Sequence, residues 1–382
     1  MNFKFVDYAE TEEHRMIQET ARKFLADNLA PIAAEIDEKE EFAWDVFKGM
    51  AELGLLALMA PEEYNGGGHD VLGAAVVAHE IAKHCAGTCT SASGHVFCLH
   101  WIDKFATKEQ KDRFLPKLVT GEWVGGMAMS EPEAGSDVAS LKMTAVRDGD
   151  QYVVNGNKIF ITNGSIADVI VCMVRTGGPG PKGISTLIIE TDSPGFTASK
   201  PFKKLGNRAS PTSELALEDC RIPLENLLGE ENRGFIGSMH FLPFERGLIT
   251  AQCGAQIEAC LEVVTKYCSE RRQFGMALNE FQMVRQMLAE MAVDLQVTKT
   301  LARNSLKKYA SGAEANTDSA IAKIYGAEAS VRTTNNAVQL LGGYGYTREF
   351  PVERWFRDAK LYTIGGGTSQ ILKLIVSRAL TS

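Results

Sequence analysis

The fold turns on residues 144–163, TAVRDGDQYVVNGNKIFITN. Two runs rich in β-branched and aromatic residues flank Asp148-Gly149-Asp150, the pattern of two strands joined by a tight turn. Further along, ADVIVCMVRT (167–176) and GISTLIIETD (183–192) are β-branched runs, and SELALEDCRI (213–222) alternates up to Pro223. A central β unit over residues 121–230 is therefore expected. Between two of these runs, residues 178–183 (GPGPKG) match GxGxxG in form only. Two prolines in the motif and a strand after it, where a dinucleotide site needs a helix, make it a hairpin loop.

On either side of this unit the apolar period changes to that of a helix. MIQETARKFLADNLAPIAAEI (16–36) and VLGAAVVAHEIAKHC (71–85) lie upstream, separated by a loop at PEEYNGGGHD (61–70). Downstream, residues 239–274, 281–310 and 319–341 each read as a helix of several turns. Helices of that length need partners on more than one side, so a bundle and self-association are expected. The order is α, β, α, with units at 1–120, 121–230 and 231–382.

At 382 residues, two or three packed units are the default. A composition 45% hydrophobic and 23% charged is that of a globular protein, not a disordered one. The net charge of −8 argues against a nucleic-acid partner. No apolar run reaches the roughly 18 residues of a membrane span, and charges interrupt the first fifteen residues. A soluble, non-exported, cytoplasmic protein with no membrane partner is expected. None of the eight cysteines forms a CxxC pair, so buried free thiols are expected. No metal spacing is present, although His95 and His100 lie near Cys98.

Three segments look like neither ordinary core nor ordinary turn: AMSEPEAGSD (128–137), FITNG (160–164) and IGGGTSQ (364–370). Each gathers small residues, hydroxyls and backbone donors where a planar polar ring could come close. Together with SERRQFG (269–275), Phe281-Gln282 and QLLGGYGY (339–346), in this order, they resemble the acyl-CoA dehydrogenase family over nearly the whole chain. The resemblance implies an α+β fold with an N-terminal helical domain, a central β-barrel or sandwich domain and a C-terminal four-helix bundle. It also implies FAD as cofactor and a homotetramer.

By resemblance, Met129, Ser130 and Thr162 meet the flavin ring, with Phe160 stacked where most members carry Trp. Ser136 lies by the cofactor or thioester phosphate region. Arg271 and Phe274, with Gln339 and Gly343, reach the ADP part of FAD in a neighbouring subunit, while Thr368 and Gln370 close over the cofactor. A guanidinium at position 271 suits a pyrophosphate.

The chemistry so implied needs a strong base in a dry pocket, because the α-C–H of a thioester is a very weak acid. Most members carry that base as a Glu before the last Gly-Thr, where this chain has Gly366, then Gly367 and Thr368. A minority, including isovaleryl-CoA dehydrogenases, carry it on an earlier helix directly before an Arg. Glu245-Arg246 matches that position, and a bare Gly366 clears space for Glu245 to enter. Glu245 is thus the expected base, with Arg246, Gly366 and Gly367 lining the substrate pocket. Pro243, where many members have Asp, leaves the pantetheine contact open and allows either acyl-CoA or an acyl-carrier-protein thioester. Electron-transferring flavoprotein or oxygen is the expected acceptor, and the acyl group is short, branched or cyclic. A flavin oxidase or dehydrogenase of an acyl or aminoacyl group on a carrier protein, and a catalytically silent flavin-binding subunit, are the alternatives.

Overall fold

The computed structural model describes residues 4–381; residues 1–3 and 382, at the outer ends of the first and third expected units, lie outside them. The chain begins with helices α1 (Glu12–Asn28), α2 (Ala33–Lys39), α3 (Trp44–Glu52), α4 (Val71–His84), α5 (Ala86–Phe105) and α6 (Lys108–Val119). Side-chain caps start four of them, with the Cys85 thiol accepting from the Thr88 N–H at the start of α5. Thr11 accepts from the His14 N–H, Asp70 from that of Gly73, and Thr107 with Gln110 forms a capping box. Helices α4 and α5 are buried over most of their surface, which their Ala, Gly, Ser, Cys and Val content permits.

Next come β1 (Gly125–Ala128), β2 (Thr144–Asp148), β3 (Gln151–Thr162), β4 (Val169–Arg175), β5 (Ile184–Glu190), β6 (Phe196–Ala198) and β7 (Thr212–Pro223). They form one curled seven-stranded sheet in the order β1-β4-β2-β3-β7-β6, with β5 also on β4. The stretch 144–163 is the antiparallel β2–β3 hairpin, its turn made by Gly149 at φ +65°. Residues 178–183 connect the antiparallel β4 and β5. Strand β7 alternates between core and surface until Asp219, at φ +49°, breaks the pattern beside a register shift against β3.

The last part contains α7 (Gly234–Glu270), the short pair β8 (Arg272–Gln273) and β9 (Met276–Ala277), then α8 (Gln282–Ala310), α9 (Asn316–Leu341), α10 (Val352–Tyr362) and α11 (Ser369–Thr381). Helix α7 runs 37 residues, and Pro243 sits inside it without ending it. It packs against α8, α9 and α4, so it joins the bundle to the N-terminal helices. One core spans those helices and the first half of α7, a second fills the sheet, and a third lies among α7, α8 and α9. All eight cysteines are buried and unbridged. Among the described residues no helix is long and apolar enough to cross a membrane.

One buried ion pair ties the sheet to the loop after β1. Lys158 on β3 and Glu131 in that loop approach to 2.9 Å, with side chains 0% and 6% exposed. The carboxylate also accepts from the backbone N–H groups of Lys142 and Met143, while Lys158 Nζ donates to the Met129 carbonyl. Such a pair is an anchor only while complete, because removing one partner strands the other charge without water. Glu131→Ala should therefore lower stability by about 3–5 kcal/mol. A double Met replacement at 131 and 158 should recover most of that loss. Denaturant titration of the three proteins checks this; a single substitution costing no more than a surface change would contradict it.

Candidate active site

The sheet contributes one wall. Ser130 follows β1, its carbonyl accepting from the Ile159 N–H at 2.9 Å. Opposite, β3 shifts register between Lys158 and Ile161, which puts Phe160 at φ +59° and leaves it 67% exposed near Phe202. Asn163 (φ +62°) is wholly buried and pins the end of β3. Its Nδ2 donates to the Ser91 and Gly125 carbonyls, each at 3.0 Å. Beside it, Thr162 lies against a bare stretch of α5: a Cβ at Gly94 would stand 3.0 Å from the Thr162 methyl. Among the described residues the Ser130 and Thr162 hydroxyls have no hydrogen-bond partner, and neither side chain is buried. Ser136 is exposed on the loop that Glu131 anchors. These residues bring together free hydroxyls, an exposed ring and no bulk at Gly94, all of which suits a flat heteroaromatic ligand.

The second wall is α7. Helix α5 links it to the first, since Gln252 donates to Ser93 at 2.9 Å and Phe97 lies edge-on to Phe244. Gln252 is seven residues beyond Glu245, two turns along the same face and about 10 Å away. Glu245 is half-buried. Burial pushes its pKa up, against the nearby charges of Arg246 and Lys323. Arg246 is buried and donates to Asn316 Oδ1 at 2.6 Å, which holds the start of α9.

The turn between α10 and α11 closes the space. Gly366 has φ +64° and Gly367 φ +93°, a conformation that disfavours any side chain. A Cβ at Gly366 would stand 2.6 Å from the Ile249 Cδ1 and 3.4 Å from Glu245 Oε1. The bare position therefore faces the carboxylate directly. Thr368 Oγ1 accepts from the Ile371 N–H and starts α11, and Gln370 follows on its exposed side.

Lys323 was not legible as part of this region. It is fully buried on α9, and its Nζ donates to the Gly367 carbonyl at 2.6 Å. The available signal was a lone lysine in AIAKIYGAEAS, a stretch otherwise small and apolar on the faces that pack. Glu131 and Lys158 were missed as a pair because 27 residues separate them.

Four expected residues lie elsewhere in the same chain. Arg271 ends α7, Phe274 is 94% exposed in the β8–β9 turn, and Gln339 and Gly343 are exposed at the end of α9. Tyr267 on α7 packs near Tyr344 and Phe350, which brings these ends together. Along α9, Gln339 is 16 residues from Lys323, or about 24 Å. The histidines near Cys98 serve packing: His95 accepts from the Gly125 N–H, and His100 bonds Tyr309. Burial pushes both down to about 4, so they stay neutral. Among the described residues, no group of three or more His, Cys, Asp or Glu could hold a metal ion.

Family models match the chain in three consecutive parts: acyl-CoA dehydrogenase N-terminal domain at residues 11–122, middle domain at 126–220 and C-terminal domain at 232–381. A short-chain-specific acyl-CoA dehydrogenase of Clostridium acetobutylicum is 40% identical over 97% of this chain and 99% of its own. The mitochondrial isovaleryl-CoA dehydrogenase of Pongo abelii is 37% identical over 97% of this chain and 89% of its own. Among solved structures, butyryl-CoA dehydrogenase from Megasphaera elsdenii superposes with a TM-score of 0.95 at 35% identity, covering 100% of both chains. The chain therefore belongs to the acyl-CoA dehydrogenase family, oxidoreductases that act on CH–CH bonds.

Proposed function

We propose that this protein oxidises the Cα–Cβ bond of a short, branched or cyclic acyl thioester, with FAD as cofactor and Glu245 as the base. The observation that carries the assignment is the meeting of Glu245 and Gly366: the turn lacks a side chain where a carboxylate from α7 comes within contact range. Ser130, Phe160 and Thr162 together fit the flavin ring, with Met129 beside them and Ser136, Thr368 and Gln370 at the margins. Bound there, the flavin supplies the acceptor for the β-hydrogen.

Glu245 removes the α-proton from the opposite face of the substrate. Its burial makes it a stronger base than a solvated carboxylate, which the weak acidity of the α-C–H demands. The Gly366 and Gly367 N–H groups make no hydrogen bond among the described residues, so they can meet the thioester carbonyl as negative charge builds on it. Arg246 fixes α7 to α9 through Asn316 and lends positive charge to the pocket.

Arg271, Phe274, Gln339 and Gly343 are too far along the bundle to join Ser130, Phe160 and Thr162 of their own chain. Their exposure suits contact with the FAD of a neighbouring protomer in a homotetramer. The substrate is an acyl-CoA or an acyl-carrier-protein thioester. Electrons pass to an electron-transferring flavoprotein or to oxygen in a cytoplasmic setting.

Glu245→Gln should retain bound flavin and the wild-type melting temperature, yet slow flavin bleaching by isovaleryl-CoA or butyryl-CoA by about 10²–10⁴-fold. Bleaching at the wild-type rate would remove Glu245 from the role. The pH profile provides a second check. The base acts only when ionised, so kcat/KM should fall tenfold per pH unit below the pKa of Glu245. That limb should lie above the ordinary carboxylate value of 4.5, in the direction set by burial. A flat acid profile down to pH 4.5 would contradict it.

A further inference from the structure

We propose that Lys323 is a positioning residue for the Glu245 base: its ammonium clamps the Gly367 carbonyl, holds the bare turn against the carboxylate, and keeps that carboxylate ionised inside a dry pocket. The inference rests on Glu245 being the base and assigns a device that makes such a base usable.

Lys323 has no exposed surface, and among the described residues its one hydrogen-bond partner is the Gly367 carbonyl. A buried ammonium with a single neutral acceptor is costly unless an opposite charge stands nearby. The titratable groups whose charge bears on it are Glu245, Arg246 and Cys253, all on α7. Arg246 is cationic and opposes it. Burial pushes the Cys253 thiol far up, so it stays protonated. Tyr362, at the end of α10 beside Cys253, is likewise buried and held protonated. The turn before α11 contributes only its carbonyl. Among the described residues Glu245 is therefore the single anion that can balance Lys323.

The two charges are nevertheless not in contact. Among the described residues Glu245 belongs to no ion pair within 4 Å. A direct pair would hold the carboxylate well below its usual range and make it a poor base. Not in contact with it, the ammonium resists protonation of Glu245 without quenching it. The same bond fixes the turn whose φ of +64° and +93° leaves room for the carboxylate. One side chain thus sets both the shape of the pocket and the charge of its base.

Burial brings Lys323 down to about 8. The active form is protonated, so activity should fall as pH rises through that value, giving a bell with the Glu245 limb on the acid side. The test is the pH dependence, from 5 to 10, of anaerobic flavin reduction by isovaleryl-CoA or butyryl-CoA. Wild-type protein, Lys323→Arg, Lys323→Met and Glu245→Gln are compared, each checked for flavin content and melting temperature.

Lys323→Arg keeps a donor and a charge that does not titrate, so the alkaline limb should disappear. Lys323→Met should move the acid limb upward by a pH unit or more and lower kcat at least tenfold, with little change in KM. A merely structural lysine would move neither limb. The proposal is overturned if wild-type protein shows no alkaline limb near pH 8, or if flavin-loaded Lys323→Met keeps the wild-type profile. Either result beside an inactive Glu245→Gln leaves the base assignment standing, whereas an active Glu245→Gln removes that assignment first. Should neither lysine variant fold, the wild-type alkaline limb alone decides.

Discussion

The turn at Gly366–Gly367 and the carboxyl group of Glu245 meet at van der Waals distance. A Cβ on residue 366 would be 3.4 Å from Glu245 Oε1 and closer still to Ile249, on a backbone already in the left-handed region. A side chain on residue 366 would displace Ile249 and touch the carboxylate, and this chain leaves the position bare beside Glu245 of α7. The remaining features of the pocket follow from keeping that arrangement rigid. Helix α7 must run unbroken past Pro243, α9 must lie alongside to receive Arg246 through Asn316, and the turn must be tied down at Gly367.

The sheet wall relies on a different buried charge arrangement. Glu131 and Lys158 lie in close contact and satisfy the backbone around them, which fixes the Met129–Ser130 segment relative to Phe160 and Thr162. Lys323 and Glu245 make no ion pair, and each touches the Gly366–Gly367 turn. The contrast has a chemical reason. A charge that only holds structure is best fully paired, while one proposed to accept a proton, as Glu245 is, has to keep part of its proton affinity.

Much of this was visible in the amino-acid sequence, because the informative signals were local. The change of period between residues 117 and 123 separates helices from strands, and Asp148-Gly149-Asp150 marks the β2–β3 hairpin. Glu245-Arg246 and the run of glycines at 365–367 stand out against the pattern of relatives. The unread features are those that depend on distance in space. Lys323 and Gly367 are 44 residues apart, Glu131 and Lys158 are 27 apart, and Gln252 meets Ser93 across 159 residues. The bulge that exposes Phe160 is a matter of register between β3 and β7, which alternation within one strand does not encode.

The proposed mechanism takes its base from α7, on the strength of Glu245 facing the bare Gly366 position. The most direct measurement is a crystal structure of the flavin-loaded protein with a non-oxidisable thioester bound. The account predicts a Glu245 carboxylate oxygen within about 3.5 Å of the α-carbon, on the side of the substrate facing away from the ring. A carboxylate turned toward solvent, or a different acidic residue over the α-carbon, would contradict it.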